Sequence, residues 1–139
     1  MRALSFHCKN FSSKITGLST RPADITHEEI HNKEKSIRDC ILVFLTIESD
    51  DTADKIPQLI EEIVDFCKGT DENNVFLCPF AHLSNELASS DKSLKILNKV
   101  ERNLDNRDKL NIFRGHFGSD KELVIHLYGH PGNARYREF

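Results

Sequence analysis

The sequence has little of several features that would assign its class at once. It contains no tryptophan, one methionine, four prolines and six glycines among 139 residues, and this composition excludes collagen, coiled coils and wholesale disorder. Its longest apolar run, Cys40 to Ile47, is far shorter than the roughly 20 residues that cross a bilayer. The N-terminus also lacks the pattern of a signal peptide. We therefore expect a single domain, residues 1–139, in a cytoplasmic protein without a membrane partner.

An excess of charge of either sign is missing too. The chain carries 19 Lys and Arg against 22 Asp and Glu, a net charge of −3. Binding a long duplex through its phosphates needs many cationic contacts, so this class of function is disfavoured, although one nucleotide end could still be held. The positive surplus is confined to residues 107–139, with six basic and four acidic side chains.

Metal and cofactor signatures are sparse. The four cysteines show no CxxC spacing and lie in apolar segments, which predicts reduced thiols in the core; they are Cys8, Cys40, Cys67 and Cys78. The stretch His27 to His31 matches the zinc pattern H-E-x-x-H, but its polar surroundings are typical of a solvated helix or loop rather than a buried metal site. A phosphate loop and a dinucleotide fingerprint are absent, so we expect neither a metal nor a cofactor.

Hydrophobic periodicity predicts the secondary structure. Two helices are indicated by apolar stripes, one over about residues 56–67 with Pro57 in its first turn and Gly69 at its exit, the other over about 91–104 after a Ser89 or Ser90 cap. The predicted strands are Arg2–Cys8, Phe11–Thr16 as its hairpin partner, Asp39–Ile47, Asn74–Phe80, Leu110–Arg114 and Leu123–Tyr128. Residues 17–35 read as a loop with a short helix, and 115–122 as the turn joining the last two strands. The expected fold is α/β, one domain with a mixed parallel and antiparallel sheet packed by two main helices.

Polar residues at strand ends are the candidates for function. His82 and Ser84 follow the strand that ends at Phe80, Lys121 lies in the predicted final turn, and His7 ends the first strand. Because ligands gather at the carboxyl ends of strands in open α/β sheets, these side chains are expected to converge.

These residues also carry a family resemblance over nearly the whole chain. The most specific block is Pro79-Phe80-Ala81-His82-Leu83-Ser84, six residues in a row. The supporting blocks are Met1-Arg2 with the strand to His7, Asn74-Val75-Phe76, Phe117-Gly118 with Lys121 three residues on, and Gly129-His130-Pro131. With these blocks the chain resembles the N-terminal editing domain of archaeal threonyl-tRNA synthetases.

The resemblance implies a fold similar to that of D-aminoacyl-tRNA deacylases, a homodimer, and hydrolysis of serine misattached to threonine tRNA. It gives Lys121 and His82 catalytic roles, with Lys121 placing a water or stabilising charge, as a base or as a cation, and His82 ordering that water. It places substrate-binding roles on His7, Phe80, Ala81, Ser84, Phe117 and Gly118. The implied partners are the 3′ end of aminoacylated threonine tRNA and a synthetase catalytic subunit or the remainder of the same chain, with the basic residues 107–139 facing the tRNA end.

The sequence departs from the family pattern at three places. Ser119-Asp120 stands where related domains have aromatic residues, Ala134 stands where they commonly carry Glu, and Cys8-Lys9 replaces Ser-Asp. A carboxylate at Asp120 is expected to pair with Lys121 and raise its pKa. The departures leave two alternatives open: a tRNA-end binding or dimerisation module with weak or no catalysis, and a D-aminoacyl-tRNA deacylase.

Overall fold

A mixed six-stranded sheet forms the centre of the structure, a computed structural model that describes residues 1–139. The strands are β1 (Arg2–Leu18), β2 (Glu34–Thr46), β3 (Asn74–Pro79), β4 (Asn111–Arg114), β5 (Ser119–Leu127) and β6 (Ala134–Glu138). The helices are α1 (Ile56–Thr70), preceded by a 3-10 turn (Ala53–Lys55), and α2 (Ser90–Asp105). The predicted fold class, one α/β domain with a mixed sheet and two main helices, is confirmed.

The strand order is β4-β3-β2-β1-β5, with parallel pairing on one side of β2 and antiparallel pairing on the other. β6 pairs with the start of β1, from Arg2 to Phe6, and β5 pairs with its remainder, from Cys8 to Leu18. β2 is therefore a central strand. Its alternate residues enter two separate cores, as its near-continuous apolar run predicts: Ile41, Val43 and Leu45 face α1 and α2, while Cys40, Leu42 and Phe44 face the opposite side.

The predicted hairpin at the N-terminus is wrong. Arg2–Cys8 and Phe11–Thr16 are consecutive parts of the single strand β1, which pairs with β2 from Arg2 to Lys14. Lys9 and Asn10 do not form a turn, because β1 passes them with only a bulge against β5 and buries Phe11 in the core. A bulge bends a strand without reversing it but shifts the alternation of inward and outward residues by one, so Cys8 and Phe11, three residues apart, face the same core.

The last part of the chain differs from the prediction as well. β4 and β5 lie on opposite edges of the sheet rather than in one hairpin, and Lys121 lies inside β5 rather than in a turn. β6 was not predicted, because its alternating positions are occupied by charged residues and Tyr136 rather than by aliphatic ones. The segment between β1 and β2 contains no helix.

The helix boundaries follow local chemistry. Ser89 caps α2 by accepting a hydrogen bond from the Lys92 amide, as predicted. α1 continues past Gly69 and ends at Asp71, whose φ of 58° provides the left-handed C-cap. The four cysteines are buried and free, which confirms the prediction of reduced core thiols. Neither helix has the length and apolar character of a membrane span.

Candidate functional site

The segment that follows β3 is held firmly at the end of the strand. The Phe80 amide donates to the Leu45 carbonyl at 3.0 Å, and the Thr46 hydroxyl donates to the Phe80 carbonyl while accepting from the Leu83 amide. The His82 ring packs edge-on against Phe80, with 5.0 Å between ring centroids. These contacts place His82 beside the carboxyl end of β3, as the sequence predicts.

Two consecutive backbone amides are open at this place. Ala81 and His82 are exposed, and their N–H groups have no hydrogen-bond partner within the chain. Paired backbone N–H groups that already point into a site are suited to stabilise a developing oxyanion, because their dipoles need no reorganisation. The backbone amides of Ala81 and His82 are therefore suited to stabilise negative charge, in addition to any role of the His82 side chain.

Lys121 reaches the same end of the sheet. The Gly115 amide donates to the Leu77 carbonyl at 2.7 Å and Gly115 lies against Pro79, so the link from β4 to β5 begins beside the end of β3. The half-buried Lys121 ammonium donates to the Ser119 carbonyl at 2.8 Å. It also lies near Cys78, the penultimate residue of β3: burial raises the pKa of the Cys78 thiol to about 11, and the positive charge of Lys121 opposes this rise.

Burial has the largest effect on the pKa of Lys121. Removing the ammonium from water lowers its pKa below 10.5, although the neighbouring Cys78, Asp120 and Glu28 act in the opposite direction. The predicted pairing of Lys121 with Asp120 is wrong. The exposed Asp120 carboxylate instead accepts a hydrogen bond from the Ser19 hydroxyl at 2.7 Å.

Phe117 and Gly118 connect this site to the long loop between β1 and β2. The Phe117 amide donates to the Glu28 carboxylate at 2.8 Å, and the Phe117 ring packs on the helix-side core. Gly118 has φ +82°, and a Cβ built on it would overlap the Thr26 carbonyl oxygen and lie 3.1 Å from the His27 ring. Only glycine fits here, for both backbone and steric reasons.

We expect Gly118→Ala to lower the free energy of unfolding by about 2 kcal/mol or more, because a left-handed φ and a backbone overlap are penalised together. Gly132→Ala is the matched control, since Gly132 has a similar φ of +75° but nothing within 4 Å of its would-be Cβ. Urea denaturation of both variants measures the difference. Equal losses would show that the Thr26 contact costs nothing.

Ser84 has a mainly anchoring position. Its hydroxyl donates to Glu48 Oε1 at 2.6 Å, and the same carboxylate accepts from the Met1 ammonium and from Arg2 Nε, each at 2.8 Å. Burial alone would raise the pKa of Glu48, but these three donors outweigh it and hold the pKa at about 2. Ser84 thus ties the segment after β3 to a fully ionised carboxylate.

His7 is not brought to this end of the sheet within the chain. Its ring bonds to His130 at 2.7 Å and to Glu72 at 3.0 Å. β1 places His7 opposite Ile41, which lies opposite Val75 at the start of β3. Phe80 lies five residues along the chain from Val75, roughly 17 Å in extended backbone.

Glu28 is the residue that the sequence reasoning missed. Its carboxylate forms a two-point ion pair with Arg114, at 2.5 and 3.1 Å, besides accepting from the Phe117 amide. Burial opposes ionisation, but these donors keep the pKa of Glu28 below its usual value. It lies in the H-E-x-x-H match, yet that stretch is a loop in which His27 bonds to the Ser19 carbonyl at 2.7 Å. Glu28 braces the 115–118 link that carries Lys121 to β3.

Fold and site together define a class. The chain is an α/β domain in which a histidine and two unpaired backbone amides directly follow a parallel strand and a lysine lies near the penultimate residue of that strand, at the carboxyl end where such sheets bind small ligands.

The family follows from sequence comparison. The archaea-specific editing domain of threonyl-tRNA synthetase matches the chain over residues 1–139, and the chain belongs to this family. A threonine–tRNA ligase from Staphylothermus marinus is 32% identical over 132 residues, which are 94% of this chain and 21% of that protein. A threonine–tRNA ligase editing subunit from Saccharolobus solfataricus is 30% identical over 131 residues, 94% of this chain and 32% of that subunit. The chain thus spans between a fifth and a third of these relatives.

A solved structure supports the fold alone. The c-Myc DNA Unwinding Element Binding Protein superposes with a TM-score of 0.73 at 15% identity, covering 100% of this chain and 99% of that one.

Proposed function

We propose that this editing domain hydrolyses the ester bond of threonine tRNA that has been charged with serine in error. The observation that carries the proposal is that Lys121 lies near Cys78 at the end of β3, while His82 and the unpaired amides of Ala81 and His82 directly follow the same strand, in a chain that belongs to the editing family. Threonine tRNA is proposed as the substrate because the similar proteins are named as threonine–tRNA ligases.

An editing activity is needed because a binding pocket discriminates weakly between serine and threonine. Serine lacks one methyl group of threonine, and a missing methyl is worth only about 1 to 3 kcal/mol of discrimination in a binding pocket. A synthetase that accepts threonine therefore also charges serine at an appreciable frequency. A second site that is too small for the threonine methyl removes the error after it is made.

The proposed mechanism is attack of a positioned water on the ester carbonyl at the terminal adenosine. The Ala81 and His82 amides stabilise the oxyanion, because they are fixed in place by the hydrogen bonds around Phe80. Lys121 places the water, either taking its proton as a base or holding developing charge as a cation, and His82 orders the water. The tetrahedral intermediate then collapses by breaking the bond between the carbonyl carbon and the ribose oxygen. That oxygen leaves as a hydroxyl with the proton held by Lys121 if Lys121 is the base, or with a proton from solvent if it is a cation. The Phe80 ring and the Phe117-Gly118 backbone line the pocket.

The proposed partners are the 3′ end of charged threonine tRNA and a synthetase, either as a separate subunit or as the remainder of a longer chain in the cytoplasm. We also propose a homodimer. It is supported by the outer edge of β5, which pairs with no other strand and exposes 54% of Val124 and 41% of Ile125.

The decisive experiment is deacylation of threonine tRNA that carries labelled serine, threonine or a D-amino acid. We expect release of serine with little release of threonine. Release of the D-amino acid alone would favour the D-aminoacyl-tRNA deacylase alternative, and tRNA binding without any release would favour the inactive binding module. Either result would overturn the proposal.

A further inference from the structure

The basic residues of the C-terminal part do not form a free positive surface. Every arginine after residue 106 is engaged by at least one carboxylate within 4.0 Å. The pairs are Arg107 with Glu61, Arg114 with Glu28 and Glu101, Arg135 with Glu62 and Asp65, and Arg137 with Glu62. Lys109 and Lys121 are the only lysines or arginines of residues 107–139 outside these pairs, so this part offers no extended positive surface to the tRNA, although Lys121, Phe117 and Gly118 belong to the candidate site.

Unpaired cations lie instead on α2. Lys92, Lys95, Lys99 and Arg102 follow each other at intervals of three, four and three residues, so they form one stripe about 15 Å long on the helix surface. We call these four residues the α2 stripe. None of them has a carboxylate within ion-pair distance: Lys92 donates to the Ser49 carbonyl and Arg102 to the Asn98 carbonyl. The other face of α2 is buried in the core.

The α2 stripe borders an open groove of about 400 Å³. Lys92, Lys95 and Lys99 line one wall, and Thr52 and Ala53 lie opposite. The groove contains two carboxylates, and both have partners within the chain. Asp51 is fully buried and paired with the Met1 ammonium and Lys55, and Asp91 accepts a hydrogen bond from the Thr26 hydroxyl at 2.6 Å. The Asp91 carboxylate keeps its charge, so the groove offers three lysines to a ligand against one exposed anion.

The stripe also begins next to the candidate site. The Thr26 amide donates to the Ser90 hydroxyl in the first turn of α2, at 2.6 Å, and the Thr26 carbonyl lies against Gly118. α2 connects the carboxyl end of β3 to the start of its parallel neighbour β4, so it runs from the site toward the amino ends of these strands. An RNA strand that leaves the site along α2 would bring its preceding phosphates to the stripe.

We infer that the α2 stripe binds phosphates of the tRNA acceptor end and so holds the substrate whose ester lies at the end of β3. The inference rests on the proposed function for the identity of the RNA. Lysine ammonium groups suit this role, since they act as point charges toward phosphate without reading sequence. A stripe of this length spans only a few phosphates, which fits a protein of net charge −3 that holds an RNA end rather than a duplex.

The test compares two double variants with the same loss of charge. Lys95→Ala with Lys99→Ala removes the middle of the stripe, and alanine suits exposed helix positions, so the fold is kept. Lys9→Ala with Lys68→Ala removes two exposed lysines on β1 and α1, away from the stripe. Binding of uncharged threonine tRNA is measured against salt concentration, and hydrolysis is measured on seryl-tRNA and on serine esterified to adenosine alone.

We expect the stripe variant to bind tRNA roughly tenfold more weakly and to lower the salt-dependence slope by about 1.4 to 1.8, since each lost phosphate contact accounts for about 0.7 to 0.9. Its hydrolysis of the adenosine ester should stay unchanged while its KM for seryl-tRNA rises. A stripe variant that matches the control variant in tRNA binding and slope overturns the inference. Failure of the wild-type protein to hydrolyse either ester contradicts the proposed function instead, and the binding measurement still decides on the stripe.

Discussion

Replacing Lys121 by methionine is expected to lower the rate of seryl-tRNA hydrolysis at least about 100-fold, the usual contribution of a general base or of an oxyanion-stabilising group. Methionine fills a similar volume without the charge. The fold should be preserved or slightly stabilised, because burial disfavours the Lys121 ammonium in the native state. Single-turnover deacylation together with a urea denaturation curve measures both effects.

Asp120→Asn serves as the control for Lys121→Met. Asp120 is adjacent in sequence, but its exposed carboxylate accepts from Ser19 rather than from Lys121. We expect a less than about twofold change in rate, as for surface substitutions away from the reacting groups. Turnover by Lys121→Met at the wild-type rate would remove Lys121 from the mechanism, and a large loss in Asp120→Asn would show that the local charge matters more than the lysine itself.

The pH profile of the wild-type protein separates the two roles of Lys121. Burial lowers its pKa below 10.5, so its titration moves toward the range in which aminoacyl esters can be assayed. If Lys121 is a base, the rate rises as the pH increases through that pKa, because the neutral amine is the active form. If it is a cation, the rate falls over the same interval. Whichever change is observed should disappear in Lys121→Met.

Periodicity predicted the elements that have one clear apolar pattern. The stripe from Ile56 to Cys67 places α1, and the continuous apolar run of β2 places a central strand with two covered faces. It failed where a strand continues through polar residues, as at Lys9 and Asn10 in β1, since a bulge and a turn look alike in sequence. It also could not show that β4 and β5 lie on opposite edges, because pairing depends on contacts far apart in the chain.

Sequence patterns do not show contacts between distant parts of the chain, and this explains which site residues were placed correctly. His82 and Ser84 follow β3 directly, so their place at its carboxyl end needed no tertiary information. His7 was grouped with them because it ends the apolar start of β1, but β1 is antiparallel to β2, which is parallel to β3. The convergence of carboxyl ends holds only for parallel strands. Glu28 could not have been identified, because its partners Arg114 and Phe117 are more than 80 residues away.

The buried carboxylate of Asp51 offers the largest expected effect on stability. It is 0% exposed, and its two oxygens accept from the Met1 ammonium at 2.5 Å, from Lys55 at 2.8 Å and from the Glu48 amide at 2.6 Å. Asp51→Asn removes the charge but keeps the shape, so the buried ammonium loses one of its two carboxylates. Breaking a buried ion pair in this way costs about 3 to 5 kcal/mol, and urea denaturation should show a loss of that size.

Asp50→Asn is the control, because the Asp50 side chain is 79% exposed and lies 3.8 Å from Lys55. Its loss should stay below about 0.5 kcal/mol, as for other exposed pairs. Asp51→Asn should also slow deacylation, since Asp51 fixes Glu48 and Glu48 holds Ser84 in the segment of the open amides. Equal midpoints for the two variants would contradict a stabilising role for the buried pair. An Asp51→Asn protein that is destabilised yet fully active when folded would instead uncouple this ion pair from the geometry of the site.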